Sequence, residues 1–400
     1  MKKNNSKRIC MIAQASYPGD PRIRREAEAI ERTGYEVDIL CRPSGKQLRV
    51  ERFGNITAYR VMHAPSQENL VKWMYYSSLF FIKSFWKLQF LYFKRKYNVI
   101  HVHNLPDFLV FVTTFQKLLG IPIILDLHDL SVELFKSKWQ NKKSTVALFL
   151  IRMIEHFSCE FADHIITTSK GFAQRLVSRG ISKEKITIIY NTPSSKHFYF
   201  NSKREYSTIN NQATLLYHGT VSQRFGVDTV IKALPIIHQS IPGTKFIVFG
   251  KYAKNYKEEL IGLAKELMVD KYVILNGIIP IEAVLNEINS SDFGMVPYIN
   301  NEFMNLALST KGFEYAASGL PIIASDLDPM RNIFNENCVT YVTPSNFGEI
   351  AAEVVYLCNH PNIREQKATN ARMAMANITW DLMKKEYCQL INSLIHKNTK

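Results

Sequence analysis

Short apolar runs alternate with longer segments of helical periodicity along the first half of the chain. Some of the runs, such as IPIILDL at 121–127, are apolar without alternation, which is typical of strands covered on both faces. Strands that alternate with helices predict βα units and a parallel sheet. We predict strands at Arg8 to Ala13, Tyr35 to Cys41, Val99 to His103, Ile121 to Leu127, His164 to Thr168 and Lys185 to Tyr190.

The segment between the first two predicted strands carries signals for both ends of a helix. Asp20 suits the N-cap, Pro21 occupies the first helical position, and Gly34 follows the periodic stretch. We therefore predict a helix from Pro21 to Arg32.

The alternation of runs restarts after a polar stretch, PSSKHFYFNSKREYSTINNQ. The apolar runs beyond it are ATLLYHGT, KFIVFG, YVILNG, DFGMVPY and LPIIAS. A second series of βα units predicts a second α/β domain. We place the N-terminal domain at 1–192, a linker at 193–212 and the second domain at 213–378. A C-terminal helix at 379–400 could pack on either domain.

The composition is that of an ordinary soluble globular enzyme, with 46% hydrophobic and 21% charged residues, and it excludes disordered and collagen-like chains. The six cysteines are far apart and form no CxxC pair, so we expect neither a zinc ribbon nor a disulfide scaffold. The first residues lack the apolar core and the cleavage site of a secretory signal. We expect a reduced, cytosolic protein.

The positive charge is distributed unevenly. The formal net charge of +15 arises within residues 1–200, because basic and acidic residues balance in the remainder. Such asymmetry indicates a polyanion or an anionic membrane surface as the partner of the first half, and solubility alone is the alternative explanation.

Residues 69–97 combine many aromatic and basic side chains. Lys83, Lys87 and Gln89 interrupt the most apolar part, so we do not expect a membrane-spanning helix. A basic aromatic helix suits the headgroup region of an anionic leaflet, and an entirely structural helix is the alternative. We predict that the segment from Lys72 to Lys96 attaches the protein to the inner face of the cell membrane, where it reaches a lipid-linked acceptor.

Polar residues at the carboxyl ends of the strands are candidates for chemistry, because ligands of open α/β sheets bind there. Gly19 and the helix start after it could bring backbone N–H groups close to an anion. No GxGxxG or GxxxxGK[ST] motif is present, so a nicotinamide enzyme or P-loop ATPase has no direct support.

Two further strand ends, HVHNLPD and DLHDLSVE, contain three histidines and three aspartates. His128 beside Asp129 resembles a base with a carboxylate neighbour, although a single histidine at a strand end is more often structural. We predict no metal site, since no HxxxH or HxH…E pattern lies on one helix.

The segment YHGTVSQRFGVDTVIKAL places Arg224 and Gly226 before a helix predicted to begin near Val227. A guanidinium at a helix N-terminus offers forked donors and a positive dipole end to a diphosphate. Alternatively, Arg224 is a solvated loop charge.

The segment NLALSTKGFEYAASGLPIIAS places Ser309, Thr310 and Lys311 at a predicted helix start, with Glu314 one turn further along. A lysine with backbone amides for phosphates and a carboxylate for a ribose diol would clamp a nucleoside diphosphate. The alternative is that Glu314 forms half of an ordinary surface ion pair.

Taken in this order, the last two motifs resemble those of glycosyltransferase family 4, which has the GT-B fold. The resemblance covers nearly the whole chain. ASYPGDPRIRREAEAIERTGYEVDIL resembles the opening strand, loop and helix of the family, HVHNLPD and ILDLHDLSVE resemble its two N-domain loops, and IIYNTP resembles its stretch before the linker. The implied fold class is α/β, with two Rossmann-like, doubly wound domains facing across a cleft.

The resemblance implies a retaining transferase that moves a sugar from a UDP- or GDP-linked donor to an acceptor, with a lipid-linked saccharide of bacterial surface polysaccharide synthesis as the expected acceptor. The nucleotide sugar is a co-substrate, and no cofactor and no metal ion are expected. The resemblance implies that the donor diphosphate is bound by Arg224, Lys311, Thr310, Ser309 and Gly19, and the ribose by Glu314. It implies that catalysis involves His128 and Asp129. The acceptor side would contain His103, Asp107, Asp20 and Arg22.

Three positions depart from the family pattern. Leu306 stands where the first of two carboxylates is usual, Phe225 stands where a basic residue usually precedes the loop glycine, and Ser309 stands where proline is frequent. Asp326 to Asp328 spells the DxD of metal-dependent glycosyltransferases of another fold. We interpret it as a loop with an N-capping aspartate, because it follows a late strand and precedes Pro329.

Two other classes of protein remain as alternatives. Sugar-nucleotide 2-epimerases have a similar two-domain architecture and would consume a donor without an acceptor. A basic nucleic-acid-binding protein is the third possibility, but no helix-turn-helix, RNP-like aromatic residues or zinc finger are visible, so we predict no nucleic-acid partner.

Overall fold

The computed structural model describes residues 7–63, 70–138, 145–194, 198 and 204–397. The chain divides into two compact units. The N-terminal unit contains Met1–Tyr190 and Met383–Lys400, and the C-terminal unit contains Asn191–Leu382. Each unit is described by itself.

The described part of the N-terminal unit forms one eight-stranded sheet with the order β3-β4-β2-β1-β5-β6-β7-β8. Neighbouring strands run parallel except for β3, which is antiparallel to β4 at one edge. The strands are β1 (Arg8–Ser16), β2 (Glu36–Arg42), β3 (Val50–Phe53), β4 (Ile56–Arg60), β5 (Val99–His103), β6 (Ile123–Leu127), β7 (His164–Thr167) and β8 (Ile186–Ile188).

Helices connect these strands, as expected for crossover connections between parallel neighbours. They are α1 (Pro21–Glu31), α2 (Leu70–Arg95), α3 (Thr114–Leu118), α4 (Ser131–Lys138), α5 (Thr145–Phe161) and α6 (Lys170–Ser178), with short 3-10 helices at Asp107–Thr113 and Lys183–Lys185.

The six predicted strands of this unit are confirmed, with shifts of up to three residues at their ends. The hairpin formed by β3 and β4 was not predicted. The helix prediction is also confirmed: α1 begins at Pro21, and the side chain of Asp20 accepts a hydrogen bond from the backbone N–H of Arg22.

The described part of the C-terminal unit contains a six-stranded, fully parallel sheet with the order β11-β10-β9-β12-β13-β14. Each apolar run predicted after the polar stretch forms one of its strands. The strands are β9 (Thr214–Val221), β10 (Lys245–Tyr252), β11 (Val273–Asn276), β12 (Phe293–Val296), β13 (Ile322–Ser325) and β14 (Thr340–Val342).

The helices of the C-terminal unit pack on this sheet around a buried apolar core that includes Leu215, Val230, Leu234, Phe246 and Val354. They are α7 (Val227–Ile237), α8 (Tyr256–Glu266), α9 (Ile281–Ser290), α10 (Thr310–Ser318), α11 (Asp328–Arg331), α12 (Phe347–Asn359) and α13 (Pro361–Ala374), with 3-10 helices at Gln223–Phe225 and Met375–Asn377.

The last helix, α14 (Trp380–Lys397), belongs to the N-terminal unit from Met383 onward. The hydroxyl of Tyr387 lies 2.9 Å from Nδ1 of His101 on β5, and the hydroxyl of Tyr35 donates to Asn392. Helix α14 therefore packs on the N-terminal unit at the strand that carries His101.

Part of the predicted linker packs on the C-terminal unit. Arg204 donates to the carbonyl groups of Ser291 and Ile288, and Tyr206 donates to the carbonyl of Gly319. The predicted linker residues 195–197 and 199–203 lie outside the described residues.

Candidate active-site residues in the two units

The N-terminal unit has a cavity of about 170 Å³ at the carboxyl ends of β1, β5 and β6. Five of the predicted site residues line it, namely Asp20, Arg22, His103, His128 and Asp129. They come from three chain segments, which meet because the carboxyl ends of neighbouring parallel strands lie at one edge of a sheet. Gly19 and Asp107 are not among the lining residues.

Asp20 and Arg22 lie at the start of α1. The carboxylate of Asp20 accepts the backbone N–H of Arg22 at 2.9 Å, and its other oxygen lies 3.4 Å from the guanidinium. Burial opposes ionisation of this carboxyl, but the adjacent guanidinium outweighs it and lowers the pKa of Asp20. The pair therefore presents a cation and an anion side by side.

Asn104 ties the two histidine-containing loops together, a role that the sequence analysis did not identify. Its side-chain amide donates to Asp107 and to the carbonyl of Asp129, and its side-chain oxygen accepts the N–H of His128. Asp107 is 2% exposed, so its carboxylate supports the loop from within. Burial raises the pKa of the Asp107 carboxyl.

His128 is 8% exposed, and its Nε2 lies 3.2 Å from Nδ1 of His103. Burial lowers the pKa of His128 to about 3, so the imidazole is neutral near pH 7. Its Nδ1 has no hydrogen-bond partner among the described residues. A neutral imidazole with one unused nitrogen is suited to a hydrogen bond with an uncharged hydroxyl.

Beneath this cavity lies a cluster of ionisable side chains that we call the imidazole–carboxylate cluster: Glu26, His101, His103 and Asp126. All four are at least nine-tenths buried. His101 and His103 are two residues apart on β5, and Asp126 on β6 is the register partner of His103. Two residues along a strand share a face, so both imidazoles project toward α1, which carries Glu26.

The site in the C-terminal unit is built around Lys311, the second residue of α10. Its ammonium donates to the hydroxyl of Tyr298 at 2.7 Å and lies within about 5 Å of the ring centroids of Tyr217, Phe225 and Tyr298. Lys311 is 6% exposed, and within the described ranges no carboxylate forms an ion pair with it. This cation is stabilised by ring faces and one hydroxyl rather than by a counter-charge.

Ser309 and Thr310 complete the start of α10. The hydroxyl of Ser309 accepts the N–H of Gly312 as the N-cap, while it also receives a hydrogen bond from Tyr298. Thr310 is exposed at the first helical position. The prediction that these residues begin a helix is confirmed.

Arg224 lies in the 3-10 turn before α7, where its guanidinium lies 4.9 and 5.2 Å from the ring centroids of Phe225 and Phe303. Gly226 follows with a φ of 63°, and a Cβ atom there would lie 1.8 Å from the carbonyl oxygen of Pro297. Only glycine fits this close approach, which brings the Arg224 turn against the segment after β12.

Glu314 lies one turn after Lys311 and 3.2 Å from Nε2 of His218 on β9. Burial, assisted by the positive charge of Lys311, lowers the pKa of His218 to about 3. Near pH 7, Nε2 of a neutral His218 therefore faces the carboxylate of Glu314, without a well-aligned hydrogen bond to it. His218 was present in the quoted motif YHGT, but the sequence analysis assigned it no role.

Asp326 and Asp328 do not cap a helix, which corrects our interpretation. Leu327 occupies the N-cap of α11 and makes no side-chain capping bond, whereas Asp326 forms an ion pair with Arg331. The two-residue spacing directs the aspartates into different environments, since Asp328 is the first residue of the helix.

Helix α2 has two apolar faces. Phe80, Leu88 and Leu91 are buried in the unit. Seven large apolar side chains are more than half exposed: Val71, Met74, Tyr75, Ile82, Trp86, Phe90 and Phe93. The ammonium of Lys94 lies 4.2 Å from the ring centroid of Phe90. In the described part of the chain, no helix is both long and apolar enough to cross a membrane.

Comparison with known proteins agrees with this architecture. Residues 22–192 match the family model described as Glycosyltransferase Family 4, and residues 212–360 match the model described as Glycosyl transferases group 1. The chain belongs to glycosyltransferase family 4 and has the GT-B fold of two Rossmann-like domains, as the sequence resemblance implied.

Three similar proteins illustrate the range of the family. An uncharacterised glycosyltransferase of Methanocaldococcus jannaschii is 22% identical over 90% of both chains. The alpha-galactosylglucosyldiacylglycerol synthase of Streptococcus pneumoniae is 25% identical over 60% of this chain and 63% of its own. The structure of Anabaena HepE in complex with UDP and glucose has a TM-score of 0.72 and 15% identity, and the match covers 96% of this chain and 99% of HepE.

Proposed function

We propose that this glycosyltransferase transfers a sugar, with retention of configuration, from a nucleoside diphosphate donor to a lipid-linked saccharide in the assembly of a bacterial surface polysaccharide. The observation that supports it most strongly is the buried Lys311, a cation held among aromatic rings without a counter-charge in the described residues. Such a site favours an anion that brings the missing negative charge.

A diphosphate fits this requirement. Lys311 and Arg224 would contact its oxygens, with the backbone and hydroxyl groups of Ser309 and Thr310 at the start of α10. The leaving diphosphate gains negative charge as the glycosidic bond breaks, so cations fixed beside it stabilise the transition state more than the ground state. The side chains would therefore take the place of a divalent ion at the diphosphate.

Glu314 would accept hydrogen bonds from the ribose hydroxyl groups. His218 lies beside this carboxylate, and Lys311 lies one helical turn before it. Since ribose and phosphate are neighbours in a nucleotide, a carboxylate and a lysine at this spacing suit the two groups. The solved complexes of Anabaena HepE contain UDP and UDP-glucose, which supports a uridine nucleotide as the first donor to test.

The N-terminal unit would supply the groups for the sugar and the acceptor. We assign His128 to a hydroxyl of the transferred sugar, because this residue lines the cavity and its buried Nδ1 lacks a hydrogen-bond partner among the described residues. The carboxylate of Asp129 and the pair formed by Asp20 and Arg22 lie at the same cavity. They would contact the acceptor and position its attacking hydroxyl. Gly19, His103 and Asp107 stay predictions as direct contacts.

A lipid-linked acceptor agrees with the exposed face of α2. Trp86, Phe90 and Phe93 project from the helix beside basic residues such as Lys94. Aromatic side chains at the headgroup level combined with cations favour an anionic leaflet. The Streptococcus pneumoniae relative carries a diacylglycerol product in its name, which supports a membrane-bound acceptor.

Flotation with vesicles of anionic and of zwitterionic lipid tests the membrane proposal. We expect the chain to float with the anionic vesicles at low salt and to remain at the bottom with the zwitterionic ones. A Trp86→Ser, Phe90→Ser variant should float less. Equal recovery of the wild-type chain in the dense fraction with both vesicles would contradict attachment.

A thermal-shift screen of UDP, GDP, ADP and their sugars tests the donor. At a concentration of 100 times its Kd, the correct nucleotide stabilises the folded chain by about 2.7 kcal/mol. Turnover should then require an acceptor and no added Mg²⁺ or Mn²⁺. Consumption of the donor without an acceptor would instead indicate an epimerase.

A further inference from the structure

We infer that the imidazole–carboxylate cluster, Glu26 with His101, His103 and Asp126, binds one divalent transition-metal ion of the zinc class. The four side chains each offer one ligand atom, and these atoms all lie within 4.8 Å of one another. The site lies in the N-terminal unit and uses none of the residues of the proposed diphosphate site, although His103 is also a predicted acceptor-side residue. Metal content can therefore be tested without reference to the donor.

The topology explains why these residues converge. β5 carries His101 and His103 two residues apart, and β6 carries Asp126 as the register partner of His103, so the side chains of two neighbouring strands point to one face. We predicted no metal site because no ligand pattern with helical spacing is present. The two-residue spacing of a strand brings imidazoles together equally well.

The distances fit a small tetrahedral ion. Bonds of about 2.0–2.1 Å to nitrogen and oxygen place neighbouring ligand atoms about 3.3 Å apart. Nε2 of His101 and Nδ1 of His103 each lie 3.3 Å from the same oxygen, Oδ2 of Asp126. Oε2 of Glu26 lies 3.8 Å from Nδ1 of His103, so a small rotation of its side chain would complete the set.

The ligand atoms are buried without the hydrogen bonds that buried polar groups normally make. Among the described residues, Nε2 of His101, Oε2 of Glu26 and both carboxylate oxygens of Asp126 make no well-aligned hydrogen bond, although ring nitrogens lie 3.3 Å from Oδ2 of Asp126. Buried polar groups normally find well-aligned partners. A divalent ion would balance the two carboxylates and use the lone pairs of two imidazoles.

Tyr387 on α14 orients one ligand. Its hydroxyl lies 2.9 Å from Nδ1 of His101, which directs Nε2 of the same ring toward Asp126. A ligand histidine usually donates its other ring N–H to such a partner. Bound metal would also take the lone pair of His103 Nδ1 that now faces His128, so it would fix His103 beside the proposed sugar contact.

The ligand set identifies the class of ion. Two imidazole nitrogens and two carboxylate oxygens suit zinc, whereas magnesium and calcium prefer oxygen ligands and larger coordination numbers. Four protein ligands at a closed, buried site are typical of a structural ion rather than a catalytic one. We therefore expect the ion to stabilise the N-terminal unit.

Metal analysis of the full chain, purified without chelators or an affinity tag that binds metal, tests the proposal. We expect one zinc-class ion per chain, or uptake of one after the metal-free chain is titrated with Zn²⁺. Co²⁺ in its place should show the intense visible absorption of a four-coordinate ion. A chain that is metal-free as purified and binds neither ion stoichiometrically overturns the proposal.

Three variants locate the ion. His101→Gln and Asp126→Asn should lose most of the bound metal and the Co²⁺ spectrum while retaining the circular dichroism of the wild-type chain. His164→Gln, on the neighbouring strand β7 and outside the cluster, should keep both. If either cluster variant folds and retains the full metal content, the ion lies elsewhere and the proposal is wrong. If neither folds, the Co²⁺ spectrum of the wild-type chain decides whether the coordination is four-coordinate with nitrogen and oxygen ligands.

Discussion

The two units bury opposite kinds of charge near the carboxyl ends of their central strands. In the C-terminal unit, Lys311 lies among aromatic rings and is hydrogen-bonded to one hydroxyl. In the N-terminal unit, Glu26 and Asp126 face imidazoles that form few hydrogen bonds. Among the described residues, the first site has a cation without a carboxylate partner, and the second has carboxyl groups without a lysine or arginine partner. The same parallel-sheet geometry thus prepares one site for an anion and the other for a cation.

The two sites also differ in their neighbours. Lys311 is as buried as Glu26, but Thr310 before it is exposed. The four members of the imidazole–carboxylate cluster are all buried, and of these four only His103 lines the cavity. An exposed neighbour suits a substrate that arrives and leaves, whereas buried neighbours suit a resident ion.

The largest expected effect comes from removing the buried cation. Lys311→Ala should lower kcat/KM by about 10²–10³, or about 2.7–4 kcal/mol, as measured when a single group that stabilises transition-state charge is removed. Steady-state kinetics with the donor identified by the screen measures it. The matched control is Lys232→Ala, which removes an exposed lysine paired with Asp228 on α7. Equal losses in both variants would show that Lys311 has no special role.

Ligand removal should affect the two units separately. Saturating nucleotide, at about 100 times Kd, should stabilise the chain by about 2.7 kcal/mol and slow hydrogen exchange in β9 and α10. Removing the metal with a strong chelator should instead speed exchange in β5 and β6. Mass spectrometry of the exchanged peptides reports both changes. If the nucleotide slowed exchange only in β5 and β6, the anion would bind in the N-terminal unit. That result would contradict the assignment of the anion site to the C-terminal unit.

Glu314 should contribute less than Lys311, because we assign it to the ribose, which carries no charge. Glu314→Gln should weaken nucleotide binding by about 1.5 kcal/mol, or about tenfold, since hydrogen bonds to a charged group are worth about that much. Binding of the 2′,3′-dideoxy nucleotide separates the causes. The wild-type chain should bind it more weakly than the ribonucleotide, and the variant should not distinguish them. A variant that still discriminates would show that the ribose is held elsewhere.

The smallest expected effect concerns pH. The pKa of His218 is about 3 in the folded chain, below its value of 6.5 in the unfolded chain, because of burial and Lys311. The unfolded chain therefore binds the extra proton first, and stability present above pH 6.5 is lost as the pH falls toward 3. Between pH 7 and pH 6 this loss is less than about 1 kcal/mol, and it steepens toward about 1.4 kcal/mol per pH unit at lower pH.

A comparison of the wild-type chain with His218→Asn measures that loss. Urea unfolding at several pH values should show that the wild-type chain loses more stability than the variant between pH 7 and pH 4. An identical slope for both chains would mean that His218 titrates normally in the folded state.

Local pattern was sufficient for much of the fold. The strand Val99–His103 was predicted to the residue, and Asp20 caps α1 as its chemistry suggested. The hairpin of β3 and β4 was missed, although Gly54 and Asn55 form a two-residue turn between alternating segments, which is a recognisable signal. Both strands are short and partly polar, unlike the apolar runs that predicted the parallel strands.

The site residues divide into those that a local motif indicates and those that only the tertiary fold brings into place. Arg224, Lys311 and Glu314 could be predicted as candidates because each lies in a short motif at or near a predicted helix start, with Lys311 and Glu314 one turn apart. His218 and Asn104 act through residues distant in sequence, so no local spacing marked them. The cluster also needs Glu26 from α1 and support from Tyr387 on α14, which only the tertiary fold brings to His101.

Calorimetric titration of the nucleoside diphosphate into the wild-type chain and into the Arg224→Ala, Lys311→Ala double variant tests the central claim most directly. We predict saturable binding by the wild-type chain and loss of measurable heat in the double variant, whose circular dichroism should be unchanged. Equal affinity in the two chains would contradict the assignment of the diphosphate to these cations.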